Sequence, residues 1–425
     1  MPPAGDCAQN TAKKSSAELR TRVMALIEAL DANTLKERAA ARRELVELGP
    51  GILPMLPPPE QLTRASVRES LSGIRTTLER RQARESIKPS RVTLQGTLRL
   101  GDIFEEVAQQ TGNQIGTSHV AKEELNASLE VDFRNVTFWE VMDDLASGQG
   151  LSFADHADAG TLAIRSDVDG KPSPEIAVSY SGAFRVAMLS VRLRPLLGTT
   201  SERMVRLRMG VSVEPRLRPL FLKYAAEDIS VRRTSGAVLP QFVPDAQYEL
   251  SLGEGGWQVR VQADFRVPNR PALKSVAVNG RMTMLTAADT QPIRFTRLTG
   301  GAGTARRRGG VTVTLRDVAE QTRQGEKVAR VRVAVGYDTG GPAFESHRSW
   351  VFHNAAYLES SDGSRVKRSG QFTTVLQADG AVAVEYNFAG LKEPLEQYRF
   401  VYVAPTLIIS VPIEFKFSDV PVSSR

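Results

Sequence analysis

The sequence predicts a multidomain α+β chain: a short helical region, a βαβ–βαββ unit, then two antiparallel β-sandwiches. Three observations carry that expectation. Apolar residues recur at helical spacing between Glu18 and Arg84. A strand–helix–strand pattern occurs twice between Val92 and Arg165. Beyond Asp167, apolar residues alternate with polar ones in run after run. The 425 residues, 41% hydrophobic and 24% charged, are enough for several globular domains.

Residues 1–17 are polar and read as a disordered tail. From residue 18 to 88 the period is helical: Leu19, Val23, Leu26, Ile27 and Leu30 share one face. A second run, with Leu45, Val46 and Leu48, stops at Gly49-Pro50, and Val67, Leu71, Ile74 and Leu78 mark a third helix. The phrase AARRELVELGPGILPML resembles a HEAT-type repeat, in which a helix ends in Leu-Gly-Pro and the next packs antiparallel to it. A small three-helix cap fits the same residues.

Residues 89–167 contain an internal repeat. IFEEVAQQTGNQI and VMDDLASGQGLSF superpose at an offset of 38 residues, as from Ile103 to Val141. Glu105-Glu106 then falls on Asp143-Asp144, and Gly112 on Gly150. In each copy the apolar positions lie on one helix face, which leaves the acid pairs for solvent. Thr137 with Glu140 fits a capping box, and both glycines sit where a left-handed C-cap is wanted. Leu151–Ala154, a polar turn and Thr161–Arg165 read as a hairpin.

The order of VTLQGT, GDIFEEVAQQTG, LEVDFRNV, DDLASGQGLSF and TLAIR resembles the short N-terminal domain of secretins and TonB-dependent receptors. No outer-membrane barrel or secretin ring sequence follows, so neither transport nor a secretion pore comes with the resemblance. It implies a protein-docking module of the bacterial envelope, and hence the periplasm or cell surface. The opening MPPAGDCAQNTAKKSSAEL shows no apolar signal-peptide core.

Residues 168–178 read as a Pro/Gly/Ser linker. Residues 179–300 hold the alternating runs of Val205–Val213 and Trp257–Phe265, the pattern of an antiparallel sheet with one wet face. Residues 301–310, GAGTARRRGG, read as a Gly/Arg linker or hairpin tip. They lack the Lys-[Ser/Thr] and following helix of a phosphate loop. Residues 311–425, with runs at Val311–Leu315, Val331–Val335 and Val411–Phe417 and an Asp362-Gly363 turn, resemble Ig-like modules of bacterial cell-surface proteins.

The net charge is +7 and arginine outnumbers lysine. The basic residues, as at Arg206, Arg208, Arg330 and Arg332, look scattered among acids, unlike the concentrated charge and interleaved aromatics of a nucleic-acid protein. The single cysteine, Cys7, cannot form an internal disulfide. No apolar run reaches the roughly 20 residues of a membrane span.

The chemistry-bearing candidates are few, and the sequence assigns no catalytic, cofactor-binding or metal residue. Glu345, His347 and His353 share strand parity, but the two histidines stand about 20 Å apart on an extended chain, too far for one metal. His119 and His156 fall in loops and are given no role. Trp139 lies off the buried stripe of its helix, where it either anchors a partner or packs on a neighbouring domain. The expectation is a noncatalytic envelope protein that docks a protein partner, with no cofactor, nucleic acid or transmembrane segment. Two alternatives stay open: a module that binds polysaccharide or another anionic cell-wall ligand through a basic sandwich face, and a hydrolase whose site assembles in space.

Overall fold

The computed structural model describes residues 5–57, 62–154, 160–167, 175–196, 198, 201–252, 256–268, 272–323, 326–337, 351, 354–369, 373–378 and 381–423. It is a mixed α+β chain dominated by antiparallel sheets, in two compact units, residues 1–86 and 87–425.

The first unit holds α1 (Gly5–Ala29), α2 (Leu35–Glu47), a 3-10 helix (Pro50–Met55) and α3 (Ala65–Ser86). Thr34 caps α2, its hydroxyl accepting the Glu37 amide at 3.2 Å. The expected stripes meet in one core, with Val23, Leu45, Leu71, Ile74 and Leu78 fully buried. Helix α1 begins at Gly5, within the stretch expected as a tail, because AQNTAKKSSAELR is rich in good helix formers.

The second unit opens with two small sheets. Strand β1 (Arg91–Arg99) leads into α4 (Leu100–Thr111), β2 (Gln114–His119) and the short α5 (Lys122–Leu125). Strand β3 (Ser128–Thr137) leads into α6 (Phe138–Gln149), β4 (Leu151–Phe153) and β5 (Thr161–Ser166). β1 pairs antiparallel with β3; β5 pairs parallel with β2 and antiparallel with β4. Gly112 and Gly150 end α4 and α6 with φ of 70° and 64°, the left-handed caps their positions required. The Thr137 amide donates to the Glu140 carboxylate at 3.1 Å. Ile103, Phe104, Val107, Val141, Met142 and Leu145 fill the core between helices and strands.

The rest is three antiparallel sheets. The first is β12 (Gln258–Pro268), β8 (Glu202–Val213), β7 (Phe184–Pro195) and β6 (Ala177–Ser181), in that order. The central sheet is β11 (Gln247–Ser251), β9 (Arg218–Ala225), β13 (Ser275–Phe295), β21 (Arg399–Pro421), β17 (Ala356–Glu359) and β18 (Arg365–Lys367), with β10 (Ile229–Arg233) also on β13. The third is β14 (Ala305–Arg308), β15 (Val311–Arg323), β16 (Glu326–Tyr337), β20 (Ala381–Ala389) and β19 (Thr373–Ala378).

Strands β13 and β21 pair from Ser275↔Pro421 to Phe295↔Phe400 and contribute to both large cores. Met282, Met284, Ile413 and Phe415 pack with the first sheet; Leu285, Ile293, Phe400 and Tyr402 pack with the third. The neighbours Met284 and Leu285 enter different cores, so the central sheet gives one face to each, as side-chain alternation requires. This differs from the expected division at 301–310 into two sequence-separate sandwiches: residues 411–420 return to the first core. Of the linker and the hairpin tip expected at 301–310, the hairpin is the one observed: 305–308 is strand β14 paired with β15, and Gly309-Gly310 lies between them.

Candidate functional site

The acid pair of α6 does not form a solvated face. Asp143 lies against β7 and β6, where both its oxygens accept from Arg185 Nε, at 2.9 and 2.7 Å, and Oδ2 accepts from the Tyr180 hydroxyl at 2.6 Å. Glu175 takes the other side of the guanidinium, accepting from Nη1 at 3.0 Å and also from Nη2. Arg185 is 3% exposed, and it lies over the Phe153 ring at 5.3 Å. Burial works against its charge, but the hydrogen bonds to Glu175 and Asp143 together outweigh it and hold the guanidinium above its ordinary range. Burial, then the Asp143 carboxylate, pushes the Tyr180 phenol well up. Only Asp144 keeps the exposed position expected for both acids. A helical-wheel argument places a residue relative to its own helix; it says nothing of a neighbouring sheet.

Two further contacts complete this joint. Trp139 is 1% exposed, with its indole N–H donating to the Ala183 carbonyl at 3.2 Å and its ring 6.3 Å from that of Trp257. Of its two expected roles, packing on a neighbour is the one observed. Glu214, 1% exposed, accepts from the Ser90 amide (2.9 Å) and hydroxyl (2.7 Å), Asn113 Nδ2 (3.3 Å) and Arg216 Nε (2.6 Å). A buried carboxylate with several donors is satisfied rather than poised.

Beside the joint opens a cleft of about 1350 Å³. One wall is α6 with the β4–β5 hairpin, and the floor is the outer face of the first sheet. That face is basic. Arg192 and Arg194 on β7, Arg206 and Arg208 on β8, and Arg260 and Arg266 on β12 alternate with buried Val191, Val205, Leu207, Val259 and Val267. Asp264 holds Arg206 by two bonds of 2.8 Å, and Glu202 stands 3.7 Å from Arg266. Among the described residues, no acid stands within ion-pair distance of Arg192 or Arg208. The third sheet shows the contrast: Arg330 bonds Asp317 at 2.8 Å and Arg332 bonds Glu385 at 2.7 Å. The expectation of evenly scattered charge therefore holds for the third sheet and fails for the first.

The remaining candidates do not converge. His119 is exposed on β2, and Arg306–Arg308 are exposed on β14. Glu345, His347, His353 and His156 lie outside the described residues. Among the described residues, no three His, Cys, Asp or Glu side chains cluster as metal ligands, and no helix is long and apolar enough to cross a membrane.

No family model matches the chain, and no curated protein sequence matches it. Among solved structures, a conserved domain protein from Bacillus anthracis is similar at 9% identity, over 57% of this chain and 89% of that one, with a TM-score of 0.17. A likeness at that score carries no argument about fold or function.

Proposed function

We propose that this is a noncatalytic protein of the cell envelope that docks a protein partner through residues 89–167. The envelope setting rests on the resemblance of those residues to the short N-terminal domain of secretins and TonB-dependent receptors. The observation that carries docking is the two-stranded β1–β3 ladder, which has no further strand on either outer edge among the described residues. An open edge accepts an added strand, and its backbone supplies affinity while the flanking side chains set the choice of partner. Here those side chains are Thr97, Glu130, Asp132 and Arg134, all exposed. Asp143, the acid best placed for chemistry, already accepts from Arg185 and Tyr180, which supports binding over catalysis.

The test is capture from envelope extract by the full chain at moderate salt, compared with Glu130→Lys/Asp132→Lys. That change reverses the charge at both acidic positions of the ladder and leaves the inward Val131 and Phe133 untouched. A partner held by the natural chain and lost by the variant, with unchanged melting, supports docking. Retention by the variant, or recovery of glycan alone, overturns it. Removal of the whole module would uncover Trp257 and Glu214, so a surface change is the cleaner perturbation. A second reading, binding of an anionic cell-wall ligand, is favoured by the arginines of the first sheet.

A further inference from the structure

We propose that the cleft beside α6 binds a linear, carboxylate-bearing glycan along a diagonal row of arginines. This rests on the noncatalytic reading only in that the ligand is held and not cleaved. The row follows from strand register. Arg208 on β8 stands opposite Gln262 on β12 and Ser190 on β7. Arg260 is two residues from that Gln262, and Arg192 two residues from that Ser190. Arg260, Arg208 and Arg192 are thus successive diagonal neighbours across three adjacent strands, about 7–8 Å apart from one to the next. All three line the cleft, and Arg165 faces it from the hairpin wall.

A regular row of cations suits a polymer with a regularly repeated anion, and the planar guanidinium matches a carboxylate with two parallel hydrogen bonds. The groups between the arginines narrow the class. Gln258 and Ser190 line the same cleft and offer amide and hydroxyl partners to the hydroxyls of a sugar. A nucleic acid fits less well. Its bases need aromatic platforms, whereas of the aromatics that line the cleft Phe153 is covered by Arg185 at 5.3 Å and Tyr180 is tied through its hydroxyl to Asp143. A membrane surface fits no better, because the site is a walled trough.

The experiment is calorimetric titration of the full chain with an oligogalacturonate at low ionic strength. A neutral cello-oligosaccharide, linear polyphosphate, a single-stranded oligonucleotide and anionic phospholipid vesicles serve as comparators. Oligogalacturonate should bind and the neutral sugar should not, with affinity falling as sodium chloride is raised. Arg192→Ser and Arg208→Ser should each weaken binding roughly tenfold, the scale of one lost charge-assisted hydrogen bond. Arg208→Lys, which keeps the charge and loses the fork, should fall between. Arg306→Ser/Arg308→Ser removes twice the charge of either single variant, from exposed β14, and should change nothing.

No binding of oligogalacturonate, or equal weakening by the β14 variant, overturns the site. Tighter binding of polyphosphate, oligonucleotide or vesicles overturns the assignment to a carboxylated glycan. Cleavage of the oligomer would overturn the noncatalytic reading and leave the site standing. Retention of the protein partner by the β1–β3 variant, which overturns docking, would leave this proposal untouched.

Discussion

Asp143→Ala tests the joint between α6 and the first sheet most directly. The substitution takes away one of the two carboxylates that face Arg185, whose side chain is 3% exposed. Removal of one partner from a buried ion pair costs about 3–5 kcal/mol, because the remaining charge stays out of water without compensation. Glu175 still faces the guanidinium, and Asp143 itself is 19% exposed, so the expected loss is smaller, about 2–3 kcal/mol. The mechanism also fixes a sign. If the loss comes from a stranded buried cation, Arg185→Met added to Asp143→Ala should recover about 1 kcal/mol, since methionine fills the space beside Phe153 and needs no counterion. Urea unfolding followed by tryptophan fluorescence suits the measurement, because Trp139 and Trp257 lie in the same joint. An unchanged midpoint for Asp143→Ala would refute the buried clamp. A double variant less stable than Asp143→Ala alone would refute the stranded-charge argument.

Leu145→Ala, in the core under α6, should cost about 2–5 kcal/mol in the same urea assay, as a large-to-small change at a buried site; a loss under 1 kcal/mol would mean the helix is loosely packed. The Asp362 carboxylate accepts from the Ser360 hydroxyl and, at 2.8 Å, from the Ser364 amide, and these hold its pKa at about 2. Its folded value lies below the unfolded one, so its contribution to the β17–β18 turn is present above about pH 4 and lost as pH falls through about 2. An NMR titration of the Asp362 carboxyl with a midpoint near 4 would contradict this. A chelator should leave the melting temperature unchanged; stoichiometric zinc lost on replacement of His347 or His353 would contradict that.

Much of the fold was legible because it is local. The helices α4 and α6, their glycine caps and the capping box follow from spacing within about twenty residues. Strand parity likewise assigned most inward residues. What stayed hidden is long-range. Arg185 is 42 residues from Asp143, and nothing in FWEVMDDLASGQ marks one acid for burial. The shared central sheet left a trace that a simple alternation count passes over. In VAPTLIIS, within β21, apolar residues occupy both parities, as expected of a strand covered on both faces. The arginine row also left a signature: VRLR occurs at 191–194 and again at 205–208, and the two copies pair with Arg192 opposite Arg206. Only that register turns two short motifs into one basic face.

The double role of β21 has a consequence for synthesis. The Glu414 amide donates to the Ser181 hydroxyl, across 233 residues of chain. At roughly 5–20 residues per second, a ribosome that has just released β6 needs on the order of ten to fifty seconds more before β21 can reach it. Once β13 is made, the edge that β21 will occupy lies open for the rest of that interval, and Val411, Ile413, Phe415 and Phe417 are missing from the first core. Such high contact order makes folding slow and leaves strand edges available to wrong partners. The nascent chain is therefore most exposed to aggregation in its central third, although that third is well packed once β21 arrives.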